Sequence, residues 1–438
     1  MAIKVVKFGG SSLADAKGFR KVREILDADR NRRILVPSAP GKRFREDVKV
    51  TDLLYQCYSM LQHRQNMDEI FDRVAERYLS IAADLRLSLD VEKLLEETRF
   101  QMEGNPSPDF CASRGEYLNG RLMAAYLGWD FIDPADFIRF DRHGVFVSEW
   151  TNETLSEELT RHEYAVIPGF YGSFPDGEIH TFPRGGSDIT GAVAARAAKA
   201  DIYENWTDVS GFLMADPRIV ENPKVIDVLT YRELRELSYM GATVLQEDAI
   251  FPVHRAGIPT NIRNTYHIEH PGTMIVSDGA NYPTKYPITG IAGKRDFALI
   301  NIVKDMMNSE LGFGRKVLQA AEELGLPFEH LPTGIDTMCV AISDHDLDKR
   351  LNQLLRRIDE LCQPDTVEVT HSLALIATVG RGMVSSPGNA AKIFTALYRA
   401  GVNVRMIDQG SSELNIIVGV SNEDFEKAMR AIYEAFVD

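Results

Sequence analysis

Positive charge is in short supply in this chain: 49 Lys and Arg stand against 64 Asp and Glu, a formal net charge of −15. A nucleic acid needs a net basic face, so it is excluded as the main partner, although a local basic cluster can still hold a nucleotide. Long apolar runs are also missing. No stretch approaches the ~20 residues of a membrane span, and the opening Met1-Ala-Ile-Lys-Val-Val-Lys7 breaks its apolar residues with two lysines. Cysteine is sparse. Cys57, Cys111, Cys339 and Cys362 have no Cys-x-x-Cys spacing, so neither a zinc site nor a disulfide framework is expected. These absences point to a cytoplasmic protein with reduced thiols and no membrane partner. A Gly-x-x-x-x-Gly-Lys-Ser/Thr loop is absent as well, which disfavours the P-loop folds.

What is present exceeds one hydrophobic core, since 438 residues predict two or more domains. From residue 3 to about 280, short β-branched runs alternate with longer helical stretches, the pattern of an α/β parallel sheet covered on both faces. Ile3–Phe8, Arg33–Pro37, Ala165–Pro168, Ile202–Asn205 and Pro259–Ile262 are the strand candidates. Thr51 to Met102 reads as helical throughout, with Ile70, Val74, Tyr78, Ile81 and Leu85 forming a core-facing stripe. Gly279, Pro283 and Pro287 punctuate a polar break at Ser277–Pro287, which predicts a domain boundary there.

Beyond that break the chain repeats itself. Phe297-Ala-Leu-Ile300 returns 76 residues later as Leu373-Ala-Leu-Ile376, and Ser343-Asp-His-Asp346 returns 78 residues later as Ser421-Asn-Glu-Asp424. Each copy reads as βαββαβ, a small antiparallel sheet with helices on one face, and the final strand of the second copy has no clear sequence. The expected domains are therefore 1–283, 290–370 and 371–438.

Four segments carry candidate chemistry. Lys7-Phe8-Gly9-Gly10-Ser11-Ser12 follows an apolar strand. Its glycines let backbone N–H groups approach phosphate while Lys7 adds a mobile positive charge, although such a pair also makes a plain turn. Arg184-Gly185-Gly186-Ser187-Asp188 heads an alanine-rich helix. There Arg184 can fork onto a carboxylate and Asp188 can orient Lys7 or a metal-bound water, against the alternative of a capped helix with a solvated arginine. Thr207 and Asp208 fall beyond a strand's carboxyl end, where α/β sheets gather ligands, and Arg218 lies within reach of phosphate in sequence; the alternative is an ordinary loop ending in an Asp-Pro turn. Ser113-Arg114-Gly115-Glu116 opens a helix, and Glu116 either binds an ammonium group or merely complements the helix dipole.

In this order the four motifs resemble the aspartate kinase branch of the amino-acid kinase family, over essentially the whole chain. The repeat resembles a pair of ferredoxin-like ACT domains, with Gln409-Gly-Ser-Ser-Glu-Leu-Asn415 similar to the signature of the last one. The resemblance implies an αβα-sandwich kinase that uses ATP and Mg²⁺ to phosphorylate L-aspartate. It assigns catalysis to Lys7 and Asp188, ATP binding to Lys7, Gly9, Gly10, Ser11, Thr207, Asp208 and Arg218, and aspartate binding to Ser38, Thr51, Glu116, Arg184 and Ser187. No residue is assigned to a metal. It further implies feedback by lysine or threonine at Phe313, Gly314 and Asp336, in a homodimer or higher homo-oligomer. Two departures stand out: Gly241-Ala-Thr243-Val-Leu replaces a family Gly-Ala-Lys-Val-Leu run, and the run Pro40 to Lys49 lies between Ser38 and Thr51 in a lengthened substrate loop. The competing readings are a kinase for glutamate or N-acetylglutamate, and an amino-acid sensor that has lost turnover.

Overall fold

The structure is a computed structural model in which residues 1, 105, 184, 243–246, 280 and 438 lie outside the described set. It divides into two units. The first comprises Met1–Phe212, Val225–Tyr231 and Val244–Gly279; the second comprises Leu213–Lys224, Arg232–Thr243 and Ala280–Asp438.

In the first unit Val5, Val6 and Phe8 are fully buried, and this short apolar strand becomes the centre of an eight-stranded sheet. The order across it is Asp130–Phe131, Ala165–Val166, Arg32–Pro37, Lys4–Phe8, Ile202–Thr207, Thr260–Asn264, Thr273–Val276 and Val228–Thr230. All neighbours are parallel except Thr260–Asn264 with Thr273–Val276. The five strand candidates are all here. Strand alternation sends Val6 and Phe8 into a core shared with the helices between residues 16 and 127, and it leaves Val5 and Lys7 on the opposite face. Helix Gly186–Ala197 packs across the three central strands. The stretch expected to be helical throughout is instead three helices, Val50–Gln62, Asp68–Leu85 and Val91–Gly104. Arg64 and Arg86, both at positive φ, turn the chain between them.

The lengthened loop after Ser38 is pinned from beneath. Arg77, on the second of those helices, donates to Asp47 Oδ2 at 2.7 Å and to the Gly41 carbonyl at 2.8 Å, and both ionised side chains are buried. Burial alone would raise the Asp47 pKa. The Arg43 side chain and amide and the charge of Arg77 outweigh it and hold the carboxyl well below the usual range.

The second unit contains one five-stranded antiparallel sheet, ordered Thr337–Ser343, Gly290–Val303, Thr366–Val379, Asn415–Ser421, Met406–Asp408. Its two long central strands each serve both repeats. Residues 297–303 pair with 337–343 and 366–370, whereas 290–294 pair with 375–379, which in turn pair with 415–419. The strand missing from the end of the second repeat is thus supplied from upstream of the first. The repeat equivalents Phe297 and Leu373 lie directly opposite each other, so a local two-fold relation passes between them. At the preceding positions, Asp296 and Ser372 both take left-handed φ, 69° and 60°. Their amides are received by Asn422 and Asp344, themselves equivalent residues. Among the described residues no helix is long and apolar enough to cross a membrane.

Arg77→Ala would leave Asp47 buried with Arg43 as its remaining partner, a change expected to cost about 3 kcal/mol. Urea unfolding of the two proteins measures it, and an unchanged midpoint would contradict the anchoring role of this pair.

Candidate active site

The register of the central strands brings the site together. Lys7 pairs with Asn205 and Phe8 with Trp206 in parallel, so Gly9–Ser11 and Thr207–Asp208 leave the sheet at the same carboxyl edge. Ser38 leaves there too, its amide donating to the Phe8 carbonyl at 3.1 Å. Lys7 is 8% exposed. Its Nζ meets Asp188 Oδ1 at 2.6 Å, and Asn205 donates to the same oxygen at 2.8 Å. Gly185, with φ of 79°, precedes the helix that presents Asp188 and Ser187 in its first turn. Gly169 lets that helix close in, because a Cβ there would lie 2.6 Å from Ser187 Oγ.

The glycine pair is a point of close backbone approach. Gly41 N–H donates to the Gly10 carbonyl at 2.8 Å, and a Cβ on Gly10 would fall 2.7 Å from the Ala39 carbonyl oxygen. Ser12 bonds Thr265 at 2.8 Å, and Tyr266 donates its hydroxyl to the Ser11 carbonyl at 2.9 Å. At Thr207 the hydroxyl points to Asp208 Oδ1 at 3.2 Å, and Asn264 reaches the Asp208 carbonyl.

Helix Pro108–Leu127 delivers Glu116. Ser107 caps its start by accepting from the Phe110 amide at 3.0 Å. Glu116 is 5% exposed, and its Oε2 has no hydrogen-bond partner. Burial pushes its pKa up to about 8, a rise only partly offset by the Ala39 amide, its own amide and the charge of Lys7. The same helix uses Asn119 to grip the Ser38 carbonyl at 2.6 Å. Thr51 lies in the first turn of helix Val50–Gln62, partly buried.

Other expected residues belong to the second unit or lie outside the described set. Arg218 is in the second unit, highly exposed, with its guanidinium bound to Asp216 at 2.6 Å. Arg184 and Thr243 lie outside the described residues. In the second unit the Phe313 side chain is buried in the core of the first repeat, so only its backbone, at the head of helix Phe313–Glu323, remains for a ligand. Gly314 follows it, near Met338, and the Asp336 carbonyl accepts from the Lys304 amide at 2.9 Å.

Sequence reasoning passed over Asn205, Asn119, Ala39, Gly41 and Thr265. Asn205 carried a usable signal, an amide within an otherwise buried strand, where an unsatisfied polar group would be costly. Phe170 carried none, yet it adopts φ of 82° beside the Ser187 helix, a strained conformation for a non-glycine residue.

Residues 2–264 match the amino acid kinase family, and residues 376–436 match an ACT domain. The chain belongs to the amino acid kinase family. Within it the chain is one of the aspartokinases: it is 41% identical to Aspartokinase 3 of Bacillus subtilis over 99% of this chain and 98% of that one. The aspartate kinase of Clostridium acetobutylicum superposes with a TM-score of 0.91 at 50% identity, covering 100% of both chains. Aspartokinase III of E. coli, solved with aspartate and ADP in an R-state, has a TM-score of 0.72 at 25% identity over 99% of both chains. The same enzyme with lysine and aspartate, in a T-state, gives 0.72 at 26% over 100% of both chains.

Gly10→Ala is expected to destabilise the protein by about 1–3 kcal/mol, because its methyl group meets backbone rather than a movable side chain. It should also depress activity by parting residues 39–41 from the Gly9–Ser11 turn. Thermal melts and turnover assays on the same preparation check both; a fully active, equally stable variant would contradict the close approach.

Proposed function

We propose that this aspartokinase transfers the γ-phosphoryl group of ATP to the β-carboxylate of L-aspartate, giving 4-phospho-L-aspartate and ADP. The observation that carries the reading is Glu116, a buried carboxylate with an unpartnered oxygen, held at the strand edge that also presents the Lys7–Asp188 pair. An unpaired buried acceptor is costly until a donor fills it, and the ammonium of a free amino acid supplies one. An N-acylated substrate would leave it orphaned, which argues against N-acetylglutamate.

In this reading Glu116 takes the ammonium, while Arg184, Ser187, Ser38 and Thr51 surround the carboxylates. The β-carboxylate has an ordinary pKa of about 3.9 and is already a nucleophile at neutral pH, so no general base is needed. Gly9, Gly10 and Ser11 cradle the phosphates, with Thr207 and Asp208 beside the nucleotide. Lys7, aligned by Asp188 and Asn205, meets the charge that develops on the transferring group. Mg²⁺ would neutralise phosphate charge. Among the described residues no group of three or more acidic, His or Cys side chains is arranged to hold a metal, so the ion would rest chiefly on the phosphate oxygens.

We further infer a homodimer or higher homo-oligomer in the cytoplasm that is feedback-inhibited by lysine, with threonine as the alternative effector. The product would be the activated precursor from which lysine, threonine and methionine are built. The ACT repeat supports regulation, and the lysine complex of E. coli aspartokinase III favours lysine. The effector would meet the backbone around Phe313 and Gly314, with Asp336 pairing its ammonium.

Three outcomes test these assignments. Lys7→Ala should lower kcat by about 10²–10³-fold with little change in either KM, since the lysine acts on transition-state charge; a near wild-type kcat would remove it from catalysis. Aspartate should bind the ionised form of Glu116, so below pH 8 binding expels a proton, and KM for aspartate should fall roughly tenfold per unit of rising pH. Glu116→Gln should raise that KM and abolish the slope. The stability linkage has the opposite sign: a raised carboxyl pKa favours the free folded state at low pH, and this contribution is lost as pH rises from about 4.5 through about 8. Finally, lysine should weaken aspartate binding by the roughly 5–150-fold of ordinary allosteric coupling, as read from aspartate saturation with and without lysine. If threonine alone inhibits, the effector assignment changes; if neither does, the ACT repeat is architectural.

A further inference from the structure

Helix Pro108–Leu127 carries a second acidic residue whose contacts all leave the helix. Asp109 stands in its first turn, seven residues before Glu116, close to two full turns, so the two side chains project from the same face. All three hydrogen bonds to its carboxylate come from one hairpin strand, Ile179–Thr181. His180 Nδ1 donates to Oδ2 at 2.6 Å, the Thr181 amide donates to Oδ2 at 3.2 Å, and the Thr181 hydroxyl donates to Oδ1 at 3.0 Å. The imidazole is fixed in turn, stacked on Phe174 and edge-on to Phe140, each at 4.7 Å.

The hairpin strand leads directly into the segment that ends at Ser187. Phe182 follows Thr181, its amide donating to the Phe170 carbonyl at 2.8 Å and its ring buried against Phe140. Five residues beyond Phe182, Ser187 stands in the first turn of the helix that presents Asp188. We propose that Asp109 is a positioning residue for the amino-acid substrate: by tying Thr181 to the helix of Glu116, it sets the separation between Glu116, which would hold the ammonium, and Ser187, which would hold a carboxylate. This rests on the reading of the aspartate pocket given above. A helix-dipole role would leave the carboxylate facing solvent, whereas here both of its oxygens are used across the gap to the hairpin. The partner strand Tyr171–Ser173 is held independently, through Ser173 to the backbone of Ile138, Phe140 and Ala135, so losing Asp109 frees the Ile179–Thr181 side without dismantling the hairpin.

The test is steady-state kinetics and thermal melts on the full chain carrying Asp109→Ala, Asp109→Asn, Thr181→Val or Glu116→Gln. Misplacement of a substrate clamp by about 1 Å can cost on the order of 100-fold, so Asp109→Ala should raise KM for aspartate by about 10- to 100-fold and leave KM for ATP unchanged. Asp109→Asn keeps one oxygen for Thr181 and should recover part of the loss, and Thr181→Val should give a smaller rise of the same selectivity. A merely structural role would lower the melting temperature and the active fraction without this split. If Glu116→Gln raises KM for aspartate but Asp109→Ala does not, or if Asp109→Ala raises both KM values equally, the positioning role is overturned and the pocket assignment stands. If Glu116→Gln has no effect, the pocket assignment fails and the inference falls with it. Should Asp109→Ala not fold, an unchanged aspartate KM in Thr181→Val overturns the proposal.

Discussion

A lysine inside a buried parallel strand must find a carboxylate, and that requirement organises the catalytic unit. Lys7 is the one charged residue between Val5, Val6 and Phe8, and Asp188 neutralises it from the first turn of helix Gly186–Ala197, far along the chain. For the two to meet, strand Ile202–Thr207 must lie beside Lys4–Phe8 in the register that brings Asn205 to Lys7. That register also places the exits of both strands at one edge, where the glycine turn and Thr207 fall. A buried pair of this kind contributes little net stability, because desolvation consumes most of the Coulomb gain. On the function proposed above its value is positional: a cation held at a fixed point would need no reorganisation when charge appears before it.

The opposite face of the strand pair shows the same physics in a fully paired network. Arg32 reaches Glu204 at 2.8 Å, Glu204 also accepts from the Trp206 indole at 2.9 Å, and the guanidiniums of Arg32 and Arg263 both lie over the Trp206 ring. Glu204 is fully engaged, while Glu116 keeps an oxygen without a partner. The contrast separates a carboxylate whose oxygens are used within the sheet from one that leaves an acceptor free, and burial alone would not have distinguished them.

Much of this was legible from residue order. Strand positions, the glycine turns and the repeat all leave local marks, because periodicity and backbone freedom are properties of short segments. Asn119, Ala39 and Thr265 left no such mark, since each acts only through a partner distant in the chain. The same reason hid the strand exchange in the second unit. Residues 290–294 read as a lead-in to the first repeat, yet they pair with 375–379 and complete the second, a choice made by sheet pairing and invisible in the segment itself. The helical stretch 51–102 was legible in kind but not in its breaks, which occur at Arg64 and Arg86 rather than at the glycine or proline that usually announces a turn.

The assignment of residues to the two units bears on how regulation can work. Leu213–Lys224 and Arg232–Thr243 lie, in sequence, among strands of the catalytic sheet, yet both are built into the regulatory unit. Glu233 is buried there against Arg381, at 2.7 Å, and Thr289, and Glu236 accepts from Asn415 of the signature segment at 2.6 Å. The Met214 carbonyl accepts from Ile291, and the Lys224 amide donates to the Tyr433 hydroxyl. Along the chain, Leu213–Lys224 is preceded by Ile202–Thr207 and followed by Val228–Thr230, both strands of the first unit. Coupling between any two binding sites is reciprocal by thermodynamic necessity. If an effector weakens substrate binding by some factor, substrate must weaken effector binding by the same factor.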